Sequence, residues 1–145
     1  MQVTNELSPR VDQIAKLLMD GPEGPIFMVN LLKFKPRAVY KDGRATELTG
    51  RQAYDIYAAA VSRLLPKFGG KAMFAADVSF LALGRVEELW DEVAIAMYPA
   101  RAALIRMSRS AEWREIEPHR EAGLAGQLNI ETVLVPGFRI DWSVA

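Results

Sequence analysis

Ile26-Phe27-Met28-Val29-Asn30-Leu31-Leu32-Lys33-Phe34 runs between Gly24-Pro25 and Lys35-Pro36. An apolar run set between two proline-bearing breaks predicts a strand. Successive strand residues point to opposite faces, and here both faces are apolar. Val93-Ala94-Ile95-Ala96-Met97 and Phe80-Leu81-Ala82-Leu83 have the same character. A sheet built from such strands needs cover on two sides, and helices of a small domain supply only one. The other cover is either a second copy of the sheet about a two-fold axis or the chain's own terminal segments. The first is the simpler solution, so a homodimer is expected.

Working outward from this strand, Pro36 to Leu48 reads as a long loop with a turn at Lys41-Asp42-Gly43. Thr49 and Gln52 have the spacing of a capping box. Tyr54, Tyr57, Ala58, Val61, Leu64, Leu65 and Phe68 then recur at helical spacing until Gly69-Gly70. Lys71 to Leu83 predicts a strand that bends near Ala75-Ala76-Asp77, Gly84 to Leu89 a turn, and Trp90 to Tyr98 another strand. Pro99 opens a helix through Met107. Ser110 caps a further turn over Ala111 to Ile116, which Pro118 ends. Gln127 to Val133 is the last strand, followed by a tail with Phe138, Ile140 and Trp142. Before the first strand, Ser8-Pro9 reads as a cap and first-turn proline for a helix bearing Val11, Ile14, Leu17 and Leu18, stopped at Asp20-Gly21-Pro22. The core order is β-α-β-β-α-β, an α+β, ferredoxin-like plait with an antiparallel sheet and an extra N-terminal helix. Residues 1–145 make one domain, with a core over about 25–133, the added helix at 8–20 and the tail at 134–145.

Of the 145 residues half are apolar, enough for a buried core. Eighteen Lys and Arg balance eighteen Asp and Glu, which argues against nucleic acid and anionic membranes as partners. There is no cysteine, and neither a leader-like segment nor a membrane-length apolar run stands out, so a soluble cytoplasmic protein is expected. One histidine and no thiol give poor material for a metal site. No glycine-rich phosphate loop leads from a strand into a helix, and Gly123-x-x-Gly126 precedes a strand instead. No cofactor is called for.

Three segments in order, Met28 to Phe34, Trp90 to Pro99 and Pro118 to Leu124, resemble the domain-of-unknown-function family numbered 1330, over about Pro25 to Thr132. That resemblance implies the dimeric α+β barrel, in which two plaits face each other. It implies no reaction, because the superfamily holds cofactor-independent monooxygenases, isomerases, haem-binding enzymes and proteins without known catalysis.

His119, the single histidine, is expected at a helix end beside a glycine-rich turn. It reads either as a general acid or base or as a capping residue. Arg120 beside it offers a planar fork for a carboxylate or pairs with Glu117 or Glu121. Asn30, polar in an apolar strand, is either satisfied by backbone or presented to a ligand. Tyr54 and Tyr57 lie on the buried helix stripe, as core or as hydroxyl donors to developing oxyanion charge. Lys33 snorkels or steers an anion, Trp90 lines a cleft or closes the barrel end, and Asp77 is a base or a bulge carboxylate. A single helix–sheet cavity shared by His119, Asn30 and the Tyr57 hydroxyl is expected. Two functions fit: a cofactor-independent enzyme acting on a small organic acid, ketone or aromatic, or a non-catalytic small-molecule-binding or accessory dimer.

Overall fold

A computed structural model of the chain describes residues 1–141; Trp142 lies outside them. The order is α1 (Val11–Leu17), β1 (Ile26–Phe34), α2 (Gly50–Leu64) with a 3₁₀ turn at Leu65–Phe68, β2 (Lys71–Asp77), β3 (Glu92–Tyr98), α3 (Arg101–Ser108), α4 (Ala111–Gly123) and β4 (Leu124–Thr132). The strands form one antiparallel sheet in the order β2-β3-β1-β4. This is the α+β, ferredoxin-like plait that the pattern of elements predicts.

Local chemistry starts and stops the elements. Thr49 accepts from the Gln52 N–H at 3.1 Å while the Gln52 side chain accepts from the Thr49 N–H at 2.9 Å, closing the capping box of α2. Gly69 takes the left-handed conformation, φ 76°, that ends the 3₁₀ turn. Ser110 caps α4 by accepting from the Trp113 N–H. At α1 the expected Ser8 cap is not used; Gln13 instead accepts from the Arg10 N–H, and the helix begins at Val11.

Two expectations are corrected. The second strand ends at Asp77 rather than Leu83, because after the Val78 N–H bonds the Asp91 carbonyl the chain leaves the ladder and exposes Phe80 and Leu83. Helix α4 also passes through Pro118 to Gly123. Proline removes one helical N–H, and an isolated helix breaks there. Here the final turns are held from outside. The Lys35 and Val39 N–H groups donate to the Gly123 and Ala122 carbonyls at 2.8 and 3.0 Å, and Lys35 Nζ donates to the Glu121 carbonyl. Gly123 packs directly on Gly50 of α2; a Cβ on either would collide with the other's carbonyl oxygen. His119 is therefore inside α4 and not at the helix end that Pro118 predicts.

Directly paired strand residues share a face. Ile26, Met28 and Leu32 of β1, with Ala94, Ala96 and Tyr98 of β3, pack against Tyr54, Leu64, Leu65, Ala103 and Met107 from the helix layer. Each fully buried side chain of this kind contributes on the order of 2 kcal/mol. The opposite face carries Phe27, Val29 and Leu31, paired with Met97, Ile95 and Val93, then Leu128 and Ile130 of β4 and Phe74 of β2. Except for Phe27 these are partly or largely exposed, and among the described residues no helix packs on them. Helix α1 buries none of its own residues and lies at the β4 edge, on the helix side. No helix among the described residues is long and apolar enough to cross a membrane.

Candidate functional site

Strand β4 inverts the usual polarity. Its register with β1 turns Gln127, Asn129 and Glu131 toward the helix layer and Leu128 and Ile130 toward the open face. Polar groups on a covered face must be paired. The Asn30 amide donates to the Met28 and Ala94 carbonyls at 3.1 and 3.2 Å, and its oxygen accepts from Gln127 Nε2 at 2.6 Å. Gln127 Oε1 in turn accepts from Arg120 Nη2 at 2.7 Å. Arg120 Nη2 also reaches the Leu7 carbonyl at 2.9 Å, and Nη1 the Glu117 carboxylate at 3.5 Å. A directional chain thus runs from β1 through β4 to α4 and ends on a guanidinium.

Arg120 and Gln127 line a cleft of about 560 Å³ between the helix side of β4 and the N-terminal segment. Lys16, Arg101, Met28 and Leu104 line it as well. Arg101 is held by a two-pronged ion pair with Glu131 at 2.6 and 2.8 Å. That guanidinium keeps the Glu131 carboxyl below the usual range, against a smaller opposing effect of burial. The segment enters through an antiparallel bridge between Glu6 and Gln127 and a bond from Trp90 Nε1 to Asn5 at 2.7 Å.

Behind the cleft, Tyr57 accepts from Trp113 Nε1 at 3.3 Å, and the Tyr54 ring stands 5.5 Å from it. Burial pushes both phenols above their ordinary pKa, although the nearby Arg120 charge acts in the other direction. Both keep their protons at neutral pH. Asn30 and Tyr57 belong to this interior without lining the cleft itself.

His119 points elsewhere. Its Nδ1 shares a 2.7 Å hydrogen bond with the Tyr40 hydroxyl, the two rings meeting edge to face. Tyr40 is buried in the 35–49 connection against Ala53 and Ala122, with Arg44 over its ring. The structure does not bring His119 together with Asn30 and Tyr57, and His119 does not line this cleft or the next. Lys33 lines a second, polar cleft of about 520 Å³, where it contacts the Leu89 carbonyl, Glu88 and Asp91. Burial opposes its charge, but the two carboxylates outweigh this and raise its pKa. Asp77 ends β2 and pairs with Arg51. Among the described residues no group of three or more His, Asp or Glu is arranged to hold a metal ion.

Sequence reading missed Gln127, Lys16, Arg101 and Tyr40. The alternation of polar and apolar residues from Gln127 to Glu131 was the available signal, but which side faces the helices depends on register.

No protein-family model and no curated protein matches the chain. Among solved structures, RPA0582, a protein of unknown function from Rhodopseudomonas palustris, is 33% identical. The match covers 92% of this chain and all of that one, with a TM-score of 0.80. The chain belongs to the RPA0582 family. A methylated form of that protein matches at 35% identity over 94% of this chain and 100% of its own, TM-score 0.82. A candidate antibiotic biosynthesis monooxygenase from Caulobacter crescentus is 17% identical over 78% of this chain and 92% of its own, TM-score 0.52. With that last protein this member of the RPA0582 family shares the fold alone.

Proposed function

We propose that the protein is a homodimeric α+β barrel that binds a small organic molecule in the cleft beside Arg120. The apolar open face of the sheet supports the dimer. The observation that carries the binding reading is the chain Asn30–Gln127–Arg120, which delivers a positioned guanidinium to a cleft of ligand size. A scaffold without a ligand gains little from three linked polar side chains in a position that apolar residues fill at lower cost.

Catalysis without a cofactor is the second reading. Arg120 favours it, because a guanidinium that lines the cleft stabilises developing oxyanion charge as it does a bound anion, whereas Tyr57 lies behind the cleft. The catalytic role read from sequence for His119 stands apart from this cleft, because Tyr40 holds its Nδ1.

Light scattering should give twice the chain mass, and a thermal-shift screen of small organic acids, ketones and aromatics should return ligands whose stabilisation is lost in Arg120→Met. A monomer at all concentrations overturns the dimer. Ligands that stabilise Arg120→Met and the wild type equally overturn the cleft.

A further inference from the structure

We infer that the cleft is built for an organic carboxylate, its anionic head received between Lys16 and Arg120 and its apolar body lying on Leu7, Leu17, Met28 and Leu104. This rests on the binding reading above and adds the ligand's chemical class. The chain as a whole has no net charge, yet Arg10, Lys16, Arg101 and Arg120 line this cleft against only Glu6 and Glu131.

The pairing inside the cleft sharpens that surplus. Arg101 is spent on Glu131 at 2.6 Å, and Arg10 is shared between Asp12 at 3.2 Å and Glu6 at 3.6 Å. Lys16 makes no ion pair among the described residues, though Glu131 feels its charge. Arg120 has one long contact to a carboxylate, Glu117 at 3.5 Å, and its shorter bonds go to the neutral oxygens of Gln127 and Leu7. These bonds leave donors on its Nε and Nη1. Two cations thus remain incompletely matched in one cleft, whose other walls include four apolar side chains. A carboxylate takes single charge-assisted bonds from the remaining Arg120 donors and from Lys16, and an uncharged ligand leaves both charges unmatched.

The test uses the full chain and calorimetric titration with benzoate, 2-naphthoate and octanoate, each beside its uncharged amide. At least one acid should bind about tenfold or more tightly than its amide. Lys16→Met, on a helix that buries none of its residues, should leave the fold intact and remove most of that difference; Arg120→Lys should weaken the acid further. An acid and amide that bind equally, both blocked by Leu104→Trp, overturn the carboxylate and leave the cleft standing. Acid binding unaffected by Leu104→Trp, Lys16→Met and Arg120→Lys places the ligand elsewhere and overturns cleft and class together. No binding by any of the three acids overturns the carboxylate inference.

Discussion

Both faces of this sheet are apolar over β1 and β3, and they differ at β4. The helix side carries Asn30, Gln127, Glu131 and the exposed Asn129 beside the apolar core residues Ile26, Met28, Leu32 and Tyr98, whereas the open side carries Val29, Leu31, Val93, Ile95 and Met97. A lone domain would leave the open-side set in water. On the proposed function the two sides have separate tasks: the β4 edge of the covered face holds polar groups for a ligand, and the open face is the surface for association. Cleft and pairing surface are then back to back across one layer of backbone.

The sharpest way to break this comparison is a charge on the open face. Ile95→Asp should dissociate the proposed dimer with an association penalty of about 3 kcal/mol or more, while a circular dichroism spectrum of the monomer stays native. An unchanged sedimentation coefficient would show that the open face is not the pairing surface.

On the covered face, Gln127→Leu should cost about 1–3 kcal/mol in denaturant titration, because Arg120 and Asn30 each lose a partner in a half-buried site. Adding Asn30→Leu should recover part of the loss, since the partnerless amide is then gone. Strict additivity in this double-mutant cycle would mean that the chain is not coupled.

The smallest effect concerns acid. Glu131 has a depressed pKa through Arg101, so its contribution is present above the unfolded glutamate value and is lost as pH falls through the folded one. Glu131→Gln should therefore flatten the loss of stability below about pH 4.5. An identical acid limb in wild type and variant would remove the ion pair from the account.

How much of this was legible beforehand differs from residue to residue. Strand β1 kept the bounds that its flanking Gly-Pro and Lys-Pro pairs set, and Thr49 and Ser110 cap where their spacing predicts, because these signals act within a few residues. The extent of α4 was not legible. Pro118 argues locally for a stop, and the groups that overrule it, Lys35 and Val39, are about eighty residues away. His119 was misjudged for the same reason: once the helix continues, it faces the 35–49 connection, and the next residue, Arg120, about 100° further round the helix, faces the cleft. The apolar open face was readable because a strand that stays apolar without alternating needs no partner to be seen. Gln127 was not, because the face it takes is decided by its alignment with Leu32.

The contact between Gly50 and Gly123 has a consequence for how this family can vary. Arg120 sits one helical turn before Gly123, so the place where α4 touches α2 sets how far the guanidinium reaches toward Gln127. A methyl group at either glycine would push the helices apart and withdraw Arg120 from its partner without altering any group in the cleft. On the binding reading, a change at two positions that have no side chain would thus retune the cleft from outside its lining.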